Sequence, residues 1–315
     1  MRKIRTIALG ASLLALIVGA CTTGESDPSQ SGTLASTLKF GGPPECPERP
    51  FCLIGLEETY GLEFEEFVPL DVGGPTTVAA LKNGEIDVAL LFTSDPTIVA
   101  EDFVILEDDE SLMRADNLLP IVSQEFLDAA APAEEILNSV TSQVSQDELI
   151  GLNERMIAGD SPDTVAGEWL EEMGLAAGDT SIGEGVSLVV GSTNFYEQEI
   201  LAEVYAQALE ANGFEVERQF QLGPSEVVFP ALLSGDLDLI VGYAATSLEF
   251  VNDGAGEATA DAAETVNLLN GHLAEEGLVA LEPAAATDQN AIVVTRETAD
   301  QYTLSAISDL AGQAP

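Results

Sequence analysis

Ala80-Leu81-Lys82-Asn83-Gly84-Glu85-Ile86-Asp87-Val88-Ala89-Leu90-Leu91-Phe92 has a counterpart in Ala231-Leu232-Leu233-Ser234-Gly235-Asp236-Leu237-Asp238-Leu239-Ile240-Val241-Gly242-Tyr243, at a constant offset of 151 residues. Each copy reads as the end of a helix, a glycine cap, and a short apolar strand starting at the second acid. Each strand ends on an aromatic residue, Phe92 or Tyr243. The likeness extends upstream. Leu38-Lys39-Phe40-Gly41-Gly42 and Leu188-Val189-Val190-Gly191-Ser192 both read as a strand running into a small-residue turn. Helical stretches follow near residues 53–60 and 198–211, then strands over 63–70 and 215–222. Each half therefore repeats strand–helix–strand–helix–strand, the pattern of a parallel sheet with helices on its faces. Two such units predict an α/β protein of two similar lobes.

In open α/β sheets the ligand sits beyond the carboxyl ends of the strands. Here those ends are residues 42–45, 71–76, 92–95, 192–198, 223–226 and 243–246. The expected site is a cleft between the facing lobes.

The first residues carry an address. Arg2, Lys3 and Arg5 precede an apolar run, 7–18, and then Gly19-Ala20-Cys21. A basic start, a short apolar region and small residues before a cut mark a secretory signal over 1–20, and the run is too short for a membrane span. Val18-Gly19-Ala20-Cys21 looks like a lipobox, with Cys21 as the acylated first residue of the mature chain; the alternative is an ordinary signal with a chance cysteine. Residues 21–36, rich in Ser, Thr, Gly and Asp, read as a flexible tether. The expected location is extracytoplasmic, lipid-anchored to the cell membrane. Two cysteines remain, Cys46 and Cys52, and outside the cytoplasm neighbouring cysteines usually pair. A metal site would need further ligands, and the single histidine, His272, is far away in sequence. The expectation is a disulfide, with no metal and no cofactor.

Composition narrows the class. The chain has 55 acidic and 10 basic residues, a net charge of −45; losing the three basic residues of the signal gives 7 − 55 = −48. Such a charge repels nucleic acid and anionic lipid surfaces. At 46% hydrophobic the chain is too apolar for a disordered acidic tail. A carboxylate-rich surface suits a salty medium, where screening relieves self-repulsion. The sequence contains no nucleophile elbow, P-loop, dinucleotide fingerprint or histidine-based metal motif, so an enzyme is not expected. Paired carboxylates could support glycosidase-like chemistry, but no spacing singles out such a pair among the 55 acids. A ligand sensor is a third class, with no output domain to support it.

Several motifs together resemble the substrate-binding proteins of osmoprotectant ABC importers, which bind glycine betaine, choline or carnitine. Gly191-Ser192-Thr193-Asn194-Phe195-Tyr196-Glu197-Gln198 looks like that family's opening motif. Pro230-Ala231-Leu232-Leu233-Ser234-Gly235-Asp236-Leu237-Asp238-Leu239 and Val293-Val294-Thr295-Arg296-Glu297-Thr298-Ala299 also match, as do Gly42-Pro43-Pro44-Glu45-Cys46-Pro47 and Leu90-Leu91-Phe92-Thr93-Ser94-Asp95-Pro96. The resemblance covers nearly all of 38–315. It implies a two-lobed periplasmic-binding-protein-like fold of type II and a monomer that delivers a small osmoprotectant, such as glycine betaine or choline, to the permease subunits of an ABC importer. Binding of a different small polar solute or amino acid, or ligand sensing without transport, is the alternative.

The order of the pieces departs from the family. Its usual first half appears second, from about 186, and its usual second half appears first, from about 38. This looks like a circular permutation, with 176–185 joining the family's usual termini; compact domains often have neighbouring termini. A fragment of a tandem duplication, or a gene broken after Pro315, is the bland alternative. The expected lobes are 37–122 plus 294–315, and 123–293, with 118–122 and 291–294 as the connecting strands of a hinge.

A quaternary ammonium has no N–H to donate, so aromatic faces and nearby negative charge hold it. The resemblance places Tyr243 at a cage tyrosine and Phe92 at the equivalent place in the other lobe. Thr246 and Gln198 match polar contacts. Asn290 stands where a tyrosine is usual, and Thr76 where some members carry another. Asn194, Glu45 and Asp95 complete the expected ligand set. Asp95 or Asp71 could face a cation, and Arg49 a carboxylate. By sequence alone Phe92 and Tyr243 fit core as well as ligand contact. Tyr205 and Trp169 read as packing, His272 as surface, and the acidic runs 63–66 and 107–110 as solvated surface.

Overall fold

The computed structural model describes residues 32–314. The expected signal 1–20, Cys21 and the tether as far as 31 lie outside the described residues. In chain order the strands are β1 (Lys39–Gly42), β2 (Glu66–Pro69), β3 (Val88–Phe92), β4 (Phe103–Ile105), β5 (Leu118–Ser123), β6 (Ser187–Gly191), β7 (Glu215–Gln219), β8 (Leu239–Tyr243), β9 (Leu278–Ala280) and β10 (Asn290–Thr295). They form two five-stranded sheets, ordered β2-β1-β3-β10-β4 and β7-β6-β8-β5-β9. In each sheet the first three strands are parallel, and the fourth in the order runs antiparallel to both neighbours. That fourth strand is exchanged: β10 returns to the first sheet after the chain has built the second. This is the expected two-lobed, type II arrangement.

The chain changes sheets ahead of the two connecting strands rather than after them. Leu118 pairs with Tyr243, and Asn290 with Phe92. Strand 118–122 therefore belongs with the second lobe and 290–293 with the first, which corrects the expected boundaries at 122 and 293.

The repeat has a physical cause in both sheets. Asp87 Oδ2 accepts the Lys39 backbone N–H at 2.9 Å, and Asp238 Oδ2 accepts that of Val189 at 2.8 Å. The second acid of each copy thus ties its own strand to the neighbouring one. Gly84 and Gly235 turn the chain out of the preceding helix at φ +70° and +78°, where a Cβ is strained. Side chains alternate across each strand. Val88 and Leu90 join Phe40, Ile292 and Val294 on one face, while Ala89 and Leu91 join Ile86, Ala291 and Val293 on the other. In the second sheet Leu239 and Val241 pack with Leu188 and Val190, and Ile240 packs opposite with Leu119 and Ile121. Both faces are covered, so these strands read as continuous apolar runs.

The fold begins sooner than expected. Thr33 bridges Gln313, the Leu34 N–H donates to Gly312 O at 2.7 Å, and Leu34 and Ala35 are buried. The last residues assigned to the tether are therefore packed, because two apolar side chains there find a core. Cys46 and Cys52 are joined, with Cα atoms 5.3 Å apart. Tyr205 is core, its hydroxyl 2.8 Å from Thr141 Oγ1. Trp169 is buried on the helix Pro162–Met173, and His272 lies near the surface beside Glu257. No helix of the described residues is long and apolar enough to cross a membrane.

Candidate functional site

β3 and β8 end side by side at two adjoining cavities of about 440 and 470 Å³, which share Ser225, Tyr243 and Thr246 in their walls. Phe92 lines the first cavity together with Phe51, Asn290, Arg49 and Arg114. Asn194 and Gln198 line the second, with Phe195 and Phe250. The two aromatic strand ends thus lie where parallel sheets present their carboxyl ends.

Sheet register sets the first wall. Asn290, at the start of β10, stands opposite Phe92. Its Nδ2 donates to Phe51 O at 2.9 Å, which holds the disulfide loop against the cleft. The Arg114 guanidinium lies 5.5 Å from the Phe51 ring centroid. The crossovers between sheets form the floor. They run antiparallel through an Asn117–Thr287 bridge, and the Asp288 N–H donates to Asp116 O at 3.2 Å.

Three carboxylates meet here. Asp116 accepts from Thr246 N–H at 2.9 Å and from its Oγ1 at 2.7 Å. Asp288 accepts from Ser94 Oγ at 2.8 Å. Glu197, fully buried, accepts from the Tyr243 hydroxyl at 2.8 Å and from Asn153 Nδ2 at 2.6 Å. Burial pushes Asp288 up to about 8, with the Glu197 charge adding to it. Burial raises Asp116 to about 6 against the bonds from Thr246. It raises Glu197 too, against its donors Asn153 and Tyr243. Burial and the Glu197 charge hold the Tyr243 hydroxyl protonated. Withdrawing these groups from water penalises their charged forms, and none of the ion pairs among the described residues includes them.

The structure brings Tyr243, Phe92, Thr246, Asn290, Asn194 and Gln198 to the cavity walls. Gln198 borders the second cavity with its polar atoms already engaged: Nε2 donates to Val241 O at 3.0 Å, and Oε1 accepts from Thr193 Oγ1. The other three expected residues are not among the lining residues. Glu45 pairs with Arg49 at 3.4 Å. Asp95 caps the helix Pro96–Ala100 by accepting the Thr97 N–H at 2.8 Å. Thr76 is exposed, its N–H donating to Asp71 Oδ2 at 3.0 Å. Asp71 is spent on the same turn, since it also accepts from Thr77.

Glu197, Asp116 and Asp288 were not singled out from the sequence. Glu197 stands next to Gln198, and its signal was a carboxylate on a helix whose other residues are mostly buried. Asp116 and Asp288 each precede an exchanged strand by two residues, a symmetry visible only once those strands are assigned. Among the described residues, no group of three or more His, Cys, Asp or Glu side chains is arranged to hold a metal ion.

The sequence matches the family model for the substrate-binding domain of ABC-type glycine betaine transport systems over residues 25–172 and 186–315. It is similar to the glycine betaine-binding protein YehZ of Escherichia coli, 31% identical over 124 residues, which is 38% of this chain and 40% of that protein. A glycine-betaine-binding protein of Pseudomonas aeruginosa is 30% identical over 130 residues, 41% of each chain. The carnitine transport binding protein OpuCC of Listeria monocytogenes is 26% identical over 98 residues, 31% of each. The alignments thus span less than half the length of these relatives. The solved structure of apo YehZ from Escherichia coli superposes with a TM-score of 0.37 at 14% identity, covering 85% of this chain and 84% of that one.

Proposed function

Because the chain belongs to the family of substrate-binding domains of ABC-type glycine betaine transport systems, we propose that it binds a quaternary-amine osmoprotectant in the cleft between its sheets and delivers it to the permease of an ABC importer. One observation carries the choice of ligand. Two aromatic side chains from equivalent strand ends, Phe92 and Tyr243, line a cavity that also holds Asp116 and Asp288. A quaternary ammonium cannot donate a hydrogen bond, so ring faces and negative charge are what can hold it. Arg49, Arg114 and Asn290 on the first wall suit the carboxylate of a zwitterion such as glycine betaine. The names of the relatives point to the same ligand class.

The protein works as an extracytoplasmic monomer without catalysis, held to the membrane by lipid on Cys21 and closing its lobes about the crossovers ahead of Leu118 and Asn290. A permuted order of the family's halves is supported by one fact: the family match is interrupted between 172 and 186, a gap that contains the expected join at 176–185.

A second reading rests on Asn290 and the floor carboxylates: an amino acid or another polar solute could use Asp116 and Asp288 as acceptors for its N–H groups. Calorimetric titration of the protein lacking its lipid anchor, at high salt, separates the two. Glycine betaine, choline, carnitine and several amino acids form the panel. One-to-one binding of a quaternary amine supports the proposal; binding of amino acids alone sinks it. Loss of osmoprotectant uptake on gene deletion separates transport from sensing, and turnover of a bound compound would indicate an enzyme.

A further inference from the structure

Glu197 is buried to 0% exposure in a chain rich in carboxylates, and none of the ion pairs among the described residues reaches it. Its two oxygens are taken by the Tyr243 hydroxyl at 2.8 Å and Asn153 Nδ2 at 2.6 Å. Asn153 also donates to Ser94 O at 3.2 Å, which joins the two lobes behind the cleft. A glutamine has a single acceptor oxygen and could receive only one of these donors; the carboxylate receives both, at the cost of burying an ionisable group without an ion pair.

Its position relative to the ring gives it a second role. The Tyr243 side chain lines both cavities while its hydroxyl is bound to Glu197. A phenol donating to a carboxylate becomes more electron-rich, and a cation against the ring favours the ionised form of Glu197 against the effect of its burial, so that its charge adds to the ring's own negative face. Both effects act on a cation lying against Tyr243 and leave a neutral molecule of the same shape almost unaffected.

We infer that Glu197 is a positioning and specificity-determining residue: through the Tyr243 hydroxyl it fixes the ring and makes that wall of the cleft select a quaternary ammonium over an uncharged isostere. This rests on the reading of the cleft as a quaternary-amine site. Glu197 acts without touching ligand. Asp116, Asp288 and Asp95 supply the other negative charges of the region, so measurements are made at one fixed pH.

The test compares choline with its neutral carbon isostere, in which a quaternary carbon replaces the nitrogen, by calorimetric titration of the wild type, Glu197→Gln and Tyr243→Phe. In Glu197→Gln, choline affinity falls about tenfold, while isostere affinity changes less than about twofold. Tyr243→Phe keeps the ring and the buried carboxylate but cuts the link, and shows the same selective loss to a smaller degree. It also guards against misfolding of Glu197→Gln, whose cooperative thermal unfolding is checked in parallel. Parallel losses for both ligands, or unchanged choline affinity in both variants, would overturn the inference while leaving the binding function intact. Wild-type protein that binds no quaternary amine would overturn the function reading itself, and this inference with it.

Discussion

Phe92 and Tyr243, 151 residues apart, hold the same place in two sheets: each ends the third strand in the order and faces an exchanged strand, Phe92 across from Asn290 and Tyr243 across from Leu118. Their environments differ. Tyr243 is anchored to Glu197 and borders both cavities, whereas Phe92 borders one. Cation–ring attraction is worth about 0.5–1 kcal/mol where water remains and about 2 kcal/mol where it is excluded. Phe92→Ala is expected to weaken quaternary-amine binding about threefold and Tyr243→Ala about thirtyfold, read by calorimetric titration. Equal small losses would mean that the two rings are wall rather than contact.

The repeat predicts matched stabilities. Asp87 and Asp238 each accept a backbone N–H of the neighbouring strand. Removing the acceptor strands a half-buried donor, at about 1–3 kcal/mol. Asp87→Ala and Asp238→Ala should each lower the urea midpoint by a similar amount, despite the relief of one negative charge. Asp238 also receives Ser123 Oγ at 3.2 Å, so the larger loss belongs to it. A stabilised Asp238→Ala would show that charge repulsion outweighs the strand tie.

How much of this was legible follows from what each signal encodes. The helix Leu53–Tyr60 and the strand Val88–Phe92 fall where the sequence put them, because glycine caps and apolar runs are local features. The lobe boundaries were misplaced because β5 and β10 are exchanged, and strand exchange leaves no mark in a window of neighbouring residues. Phe92 and Tyr243 were found through their shared offset. Glu197, Asp116 and Asp288 were passed over because a carboxylate's meaning lies in its burial, and 55 acids hide three. The run 107–110 shows the same limit. Asp108 is no idle surface acid: it accepts from the Tyr60 hydroxyl at 2.5 Å and from the N–H groups of Leu112 and Met113 at 2.9 and 2.7 Å.

Asp288 and Asp116 give the free protein a distinctive pH dependence. Their folded pKa values, about 8 and about 6, lie above the ordinary 3.8. Folding therefore favours their protonated forms; that contribution is whole below about pH 4 and is lost as pH rises through 6 and then 8. Carboxylates lowered by hydrogen bonds, such as Asp71 at about 2, act in the opposite sense, but their effect is complete above about pH 4. Melting temperature should thus fall between pH 5 and 8, by about 2–4 °C for each kcal/mol lost. A bound cation favours the ionised forms, so affinity rises over the same range. Asp288→Asn should flatten both trends; a melting temperature rising steadily to pH 8 would count against this account.

The net charge of −45 predicts a stability that climbs with salt. Repulsion among exposed carboxylates is screened over about 10 Å at 0.1 M salt and about 3 Å at 1 M. The urea midpoint should rise from low to molar potassium chloride. Sodium sulfate, which also strengthens apolar burial, should raise it further at equal ionic strength. A midpoint indifferent to potassium chloride would show that the acids are spaced widely enough to ignore one another.

The Cys46–Cys52 bridge closes a short loop that delivers two cleft residues, Arg49 and Phe51, and the Phe51 carbonyl that receives Asn290 Nδ2. Chain-entropy arguments give a loop of this size about 2 kcal/mol of stabilisation. Reduction, or Cys46→Ala with Cys52→Ala, should therefore lower the melting temperature by about 4–8 °C. Release of the loop also loosens the wall opposite Tyr243, so ligand affinity should fall severalfold at temperatures where the protein remains folded. Both cysteine side chains are buried, so reduction needs transient opening of the loop, and ligand should slow it. Measuring reduction rate with and without ligand separates the two roles of the bridge. Protection by ligand ties the loop to the cleft, whereas a ligand-independent rate confines the bridge to stability.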